Sequence, residues 1–326
     1  MIRVDHNCEY HLVGEASVRI VGFPPQAGAV RKSFLTEANP APGVLFAGPW
    51  VGEFGWEVAR WQGAVRKCSK ESGLYTIVMS RPGHQVLYRD FADQFWELPQ
   101  SFLDARLIPQ CDHVRPAVGD PMPGLHTQDA LLSLAAQIYA ELANVSGPLR
   151  EILSPRKFRP EEQTIVKLSA PTAEWSAGVD RPYFCVLPRS RTWNPEKNWP
   201  AGHWETLISR CLGCGMSAFT VGSPADMMCL HRLCAIADAD ALTRSIDLLS
   251  HASFAIAPES GGALLSLMCG CPTLVFGHER QRVRITSPPP GGENFLGTKV
   301  KYLSRSDYDF SVDEVAEGAR ELQRDL

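Results

Sequence analysis

Two glutamates four positions apart, Glu53 and Glu57, stand in the stretch GPWVGEFGWEVARW (residues 48–61), directly after the apolar run GVLFA. Carboxylates are the residue type for general acid and base work, and at this spacing two of them share one helix face. On these residues alone the plainer reading is stronger: both complement the positive end of a first helix, for a few tenths of a kcal/mol. Gly48, Gly52 and Gly55 let a ligand approach the backbone. In SRPGHQ, Arg81 and His84 follow the run YTIVM; they form a second tier, because a lone loop histidine is more often a surface residue.

Three later junctions hold groups that bind anionic oxygens. After YFCVL, the stretch PRSRTWNPEKNWPAGHWETLISRCL offers Arg189, Arg191 and Lys197 beside the hydroxyls of Ser190 and Thr192, before a helix expected near Pro200. Cations and hydroxyls at a strand end hold phosphate through charge-assisted hydrogen bonds; the alternative is a solvated loop. Trp193 and Trp199 are costly on a bare surface and suggest packing beneath a site or against a ligand. After SFAIA, PESGGALLSLMCGCP puts Glu259, Ser260, Gly261 and Gly262 at a helix start, where unpaired N–H groups suit a diphosphate. Ser260 could equally be a simple cap. After SAFTV, GSPAD brings Gly222, Ser223 and Asp226 to a strand end, either to accept from ribose hydroxyls or to complement the next helix.

What must position these groups is an alternation of short apolar runs with longer helical stretches. From Gly43 it runs GVLFA, a helix over 53–70, YTIVMS, a helix over 84–97 and a helix over DALLSLAAQIYAELA. It restarts with YFCVL, a helix over 201–212, SAFTV, a helix near 225–236, SFAIA, a helix over 261–269 and PTLVFG, and closes with the amphipathic SVDEVAEGARELQ. The pattern predicts α/β architecture with doubly wound, Rossmann-like parallel sheets, whose ligands sit beyond the carboxyl ends of the strands. Residues 143–181, rich in Pro, Ser and charge, read as a connection; HLVGEASVRIVGF (11–23) fits an extra strand pair. The assignment is 1–165 for a first domain, 178–310 for a second and 311–326 for a closing helix.

Composition narrows the class. The 326 residues are 44% apolar, enough for two cores with a cleft between them. A net charge of −4 and pI near 6.2, with no basic stretch, exclude the usual footprint of a nucleic-acid binder. No run reaches the roughly 18 apolar residues of a membrane span, and the first residues lack a signal-peptide pattern, so a cytoplasmic location is expected. The ten Cys are expected to be reduced and small, and neither Cys211-x-x-Cys214 nor Cys269-x-Cys271 has the second ligand pair of a metal site.

The ordered series KNWPAGHWETLI, VGSPAD and PESGGALLSLMCGCPTLVFG resembles the C-terminal domain of bacterial heptosyltransferases, glycosyltransferase family nine, over roughly residues 183–300. The resemblance implies a GT-B fold, two Rossmann-like domains facing across a cleft. The C-terminal domain would bind a nucleotide-diphosphate sugar, with Lys197 and Thr192 on the diphosphate and Ser260 and Gly261 supplying hydroxyl and N–H groups. It also implies inverting transfer to an acceptor hydroxyl with no metal and no cofactor beyond the sugar nucleotide. In the family a Gly-Asp pair follows the first strand and its Asp is the base; here the pair is Gly52-Glu53. Glu53 is thus the expected base, with Glu53→Gln lowering turnover about 10²–10⁴-fold. Glu57 would orient it or bind acceptor hydroxyls. Gly52, Trp56, Arg81 and His84 would line the acceptor side, and Trp50, Trp56 and Trp61 would stack on sugar faces or pack the helix. Lys197→Ala is expected to weaken donor binding and barely change stability. The chain departs at Glu259, where the family has Asp, and at Leu264, where it usually has His, so the sugar and the nucleotide base stay open. A glycan, a lipid-linked acceptor and a small molecule all fit. The rival readings are a sugar-nucleotide epimerase of similar architecture and a non-catalytic two-lobed binding protein.

Overall fold

The computed structural model describes residues 7–11, 17–22, 43–50, 52–98, 149–153, 160–170, 182–191, 194–212, 215–222, 241–282 and 297–326. The chain divides into two compact units, Met1–Thr164 and Ile165–Leu326.

In the first unit, strands β1 (Asn7–His11), β2 (Ser17–Gly22), β3 (Val44–Ala47), β4 (Tyr75–Ser80), β5 (Gln94–Glu97) and β6 (Leu149–Leu153) form one sheet in the order β1-β2-β5-β4-β3-β6. The β6-β3-β4-β5 portion is parallel, while the β1–β2 hairpin is antiparallel and joins β5 antiparallel. The sheet is therefore mixed rather than wholly parallel. β3 is buried throughout, as expected of a strand covered on both faces, which reads as an unbroken apolar run. After it the chain turns helical without a break: α1 (Phe54–Trp56), a π-helical turn (Glu57–Trp61) and α2 (Gln62–Ser72). Trp50 stacks on Trp61 with ring centroids 5.4 Å apart and both are buried, so these two tryptophans pack the helix rather than face a ligand.

The structure departs from the sequence pattern at two places in this unit. Residues 84–97 are not a helix: they hold a 3-10 turn, His84–Leu87, and then β5. Leu87, Phe91 and Phe95 fall at helical spacing, but Asp93 accepts the Thr76 N–H at 2.7 Å and sets the chain up for the ladder with β4 and β2. The supposed connection 143–181 contains β6, whose parallel pairing with β3 overrides its polar surroundings.

The second unit carries a parallel sheet of β7 (Tyr183–Val186), β8 (Ser217–Thr220), β9 (Phe254–Pro258), β10 (Thr273–His278) and β11 (Val300–Arg305), ordered β11-β10-β9-β7-β8. Its helices are α3 (Ala201–Leu212), α4 (Ala241–His251), α5 (Gly261–Met268) and α6 (Val312–Arg324). The expected helices at 201–212 and 261–269 thus stand within a residue, while α4 and β11 were not anticipated. One core gathers Phe184, Ile256 and Phe276 from the strands, Trp204 and Leu207 from α3, and Val315 and Leu322 from α6. A capping box starts α6: Ser311 Oγ accepts the Glu314 N–H at 3.2 Å and Glu314 Oε2 accepts the Ser311 N–H at 2.9 Å. The helices expected near 129–143 and 225–236 lie outside the described residues. No helix among those described is long and apolar enough to cross a membrane.

Candidate functional site

Each sheet has a point where the strand order reverses. In the second unit β8 lies on one side of β7 and β9 on the other, so the loops after β7 and β9 flank the position where open α/β sheets receive ligands. The start of α5 approaches the end of β7: a Cβ on Gly262 would lie 2.9 Å from Leu187 Cδ2. Glu259 directly follows β9 at this point and is 5% exposed. Lys197 Nζ is ion-paired and hydrogen-bonded to its Oε1, and Tyr308 Oη donates to the same oxygen at 3.0 Å. Tyr302 Oη at 3.0 Å and the His278 N–H at 2.9 Å donate to Oε2. Burial and the Glu259 charge push both phenols above the ordinary tyrosine range, so they stay protonated and donate. The Lys197 ammonium also stands 5.6 Å over the Tyr308 ring.

Backbone geometry commits to this web. Tyr308 has φ 58°, a left-handed conformation that is costly for a bulky residue and is held by the bonds just described. Gly277 leaves room for Glu259: a Cβ there would come 2.5 Å from Glu259 Cβ and 2.7 Å from Tyr302 Oη. Gly277→Ala is therefore expected to displace Glu259 and lower stability by about 1–3 kcal/mol, in the range of overpacking. Thermal unfolding measures it, and an unchanged Tm would mean that the Glu259 web is not rigid.

Lys197 sits on a short turn, Pro195–Lys197, anchored from below. Trp199 Nε1 donates to Phe310 O at 2.8 Å, and its ring packs on Trp204 at 4.9 Å and Phe276 at 5.2 Å. Of the two readings for this tryptophan, packing beneath the loop is the one observed. Arg189 is buried and braces the loop, its Nη1 donating to Asn194 O at 2.8 Å and Asn198 Oδ1 at 2.6 Å. Arg191 is half-buried beside it and Ser190 is exposed. Ser260 is the N-cap of α5, accepting the Ala263 N–H at 3.4 Å, with Gly261 and Gly262 half-exposed behind it. Thr192, Trp193, Ser223 and Asp226 lie outside the described residues.

In the first unit the reversal lies at β3, between β4 and β6. The chain leaving β3 is clamped on both sides: the Gly48 N–H donates to Leu153 O at 3.0 Å and the Trp50 N–H to Met79 O at 2.9 Å. Gly48 has φ 131°, and a Cβ on it would meet Met79 O at 2.5 Å, so only glycine fits. Glu53 is the half-buried N-cap of α1, with no side-chain capping bond; its carbonyl accepts the Trp56 and Glu57 N–H groups. Gly52 O accepts from Arg81 Nη1 at 2.8 Å, and Trp56 is half-buried.

Glu57 stands in a different environment, fully buried on the π-helical turn. Its Oε1 accepts from Ser80 Oγ and from Tyr88 Oη, the latter at 2.6 Å, and its Oε2 lies 2.7 Å from His84 Nδ1. Burial raises the Glu57 carboxyl, but His84 in contact, with Arg81 and Ser80, outweighs burial and holds it below the usual carboxylate range. Tyr88 is pushed well above its ordinary value by burial and by the Glu57 charge, and remains a donor. π-Helical turns are uncommon and recur at functional sites; here the turn carries the most enclosed carboxylate among the described residues of the unit.

The structure thus gathers Lys197, Glu259 and Ser260 at one strand-end site, and Gly52, Glu53, Glu57, Arg81 and His84 at another. Tyr302, Tyr308, Ser80 and Tyr88, which complete these two webs, are not singled out by the sequence. Only Tyr88 carried a signal, four positions after His84. Among the described residues Cys68, Cys185, Cys211, Cys269 and Cys271 form no disulfide, and burial raises Cys269 to about 12.

No family model matches the chain, and no curated protein matches it in sequence. Its fold is nonetheless found among solved structures. It resembles a glycosyl transferase family 9 structure from Veillonella parvula at 11% identity and TM-score 0.53, covering 87% of this chain and 97% of that one. It also resembles the ADP-heptose LPS heptosyltransferase II of E. coli at 14% identity and TM-score 0.52, covering 87% and 99%. The fold class is the expected one, two Rossmann-like α/β units of the GT-B type.

Proposed function

We propose that this protein is a glycosyltransferase that moves a sugar from a nucleotide-diphosphate donor to an acceptor hydroxyl. The observation that carries this is Lys197, held on Glu259 one residue ahead of the Ser260 cap and the glycine-rich start of α5, at the reversal point of the second sheet. A cation and a helix N-terminus side by side are what a departing diphosphate needs. One Lys197 donor is taken by Glu259, and the ammonium has two more for phosphate oxygens. The fold likeness supports the same reading, since the E. coli neighbour is an ADP-heptose heptosyltransferase.

In this reading the leaving diphosphate is neutralised by Lys197 and the α5 N–H groups, so no divalent ion is required. Attack by the acceptor in a single displacement inverts the anomeric carbon. The acceptor proton passes to a base of the first unit, where two groups have base chemistry: Glu53, which the resemblance nominates, and His84 paired with Glu57.

The test is turnover of ADP-glucose, UDP-glucose, GDP-mannose and dTDP-glucose, with water as the fallback acceptor. Proton NMR at early times reads the anomer formed. One donor is expected to react at the same rate in excess EDTA and to yield the inverted sugar. Retention, or a rate abolished by EDTA, would contradict the mechanism, and a rearranged sugar nucleotide would favour the epimerase.

A further inference from the structure

We infer that His84, positioned by Glu57, is the group that takes the proton from the acceptor hydroxyl; the inference rests on the glycosyltransferase reading. Glu57 is a fully buried carboxylate with three side-chain partners, Ser80, Tyr88 and His84. An ionised carboxylate oxygen 2.7 Å from Nδ1 requires the proton on Nδ1, so the neutral imidazole carries its lone pair on Nε2. Among the described residues nothing hydrogen-bonds Nε2, and the side chain retains 16% of its exposure. The ring is fixed by an edge contact with Phe54 at 5.6 Å and by the His84 N–H bond to Arg81 O at 3.2 Å. A nitrogen base, an orienting carboxylate on its far side and hydroxyls fixing that carboxylate in turn make a general-base constellation.

In the step proposed, the acceptor O–H bond breaks and its proton goes to His84 Nε2. The acceptor oxygen bonds the anomeric carbon, and the bond from that carbon to the diphosphate breaks with its electron pair leaving on the diphosphate oxygen. The imidazolium so formed is stabilised by the Glu57 carboxylate and then releases its proton to water. Glu57 does not touch substrate and is a positioning residue. Glu53 is left to bind acceptor hydroxyls.

The experiment compares wild type, His84→Gln, His84→Ala, Glu57→Gln and Glu53→Gln on the four nucleotide sugars above, with nucleotide affinity measured alongside. His84→Gln is expected to lower kcat about 10²–10⁴-fold, the range of a positioned base, with nucleoside diphosphate affinity intact. Added imidazole restores part of the His84→Ala rate and none of the Glu53→Gln rate. Glu57→Gln lowers kcat at least tenfold with donor KM unchanged, and Glu53→Gln lowers it less than tenfold. Nitrogen-15 NMR of histidine-labelled wild type, assigned by subtraction of His84→Gln, should show His84 protonated at Nδ1. A wild type that reacts beside a His84→Gln that reacts equally well overturns the assignment alone, as does an Nε2–H tautomer. A wild type that transfers no sugar overturns the glycosyltransferase reading with it.

Discussion

Lys197→Ala is expected to weaken nucleoside diphosphate binding by about 1.5–3 kcal/mol, roughly 10–150-fold, because a charge-assisted contact to phosphate is lost. The sequence alone suggested a change confined to binding, but the structure adds a cost in stability. Lys197 is the counter-charge of Glu259, which is 5% exposed and would keep its phenol and N–H donors without any cation. Leaving a buried charge unpaired is expensive, and about 1–3 kcal/mol of fold stability should go with it. The two effects separate in the double variant Lys197→Met, Glu259→Gln. Removing both charges should return most of the stability, since no buried ion is left alone, while nucleotide affinity stays low. Calorimetric titration with ADP, UDP, GDP and dTDP measures the first effect and thermal unfolding the second. Full affinity in the single variant would remove Lys197 from the site.

Glu57→Ala should be the most damaging single change to the first unit. It strips the acceptor from Ser80, Tyr88 and His84 together and empties a buried position, so a loss of about 3–5 kcal/mol is expected. Glu57→Gln keeps the volume and one acceptor oxygen and should be milder. The pH dependence has a definite sign. A carboxyl held below its ordinary 4.5 in the folded state adds stability that is fully present above that value. It disappears as pH falls through the folded-state pKa. Denaturant unfolding of wild type between pH 7 and pH 3 should therefore show an acid-side loss that is smaller in Glu57→Gln. Parallel pH curves for the two proteins would mean that Glu57 is not ionised in the native state.

How much of this was legible in the sequence depends on the range of the interaction. β3, β7 and β9 are buried along their whole length, so they appear as short unbroken apolar runs. α6 shows in the sequence as an amphipathic stretch, and α3 and α5 show through the Pro and Ser-Gly-Gly that precede them. β5 and β6 gave no such signal because pairing with neighbours decides them, and β11 is a half-exposed edge strand with a polar sequence. The sites follow the same rule. Glu259 and Ser260 directly follow a strand and Lys197 lies in the loop between β7 and α3, where local spacing marks them. The groups that define their surroundings arrive from far along the chain: Tyr302 and Tyr308 reach Glu259 from 43 and 49 positions away, and Ser80, His84 and Tyr88 reach Glu57 from 23, 27 and 31. The family resemblance nominates Glu53, whereas burial sets Glu57 apart: it is fully buried and Glu53 is half-buried.

Glycosyl transfer as proposed requires the second unit to hold a nucleoside diphosphate without metal, and calorimetry tests that most directly. ADP, UDP, GDP and dTDP are titrated into the intact protein in excess EDTA. One of them is predicted to bind, and at 100 times its Kd to raise stability by about 2.7 kcal/mol in a parallel unfolding experiment. No heat from any of the four, or binding that appears only when a divalent ion is restored, would contradict the account.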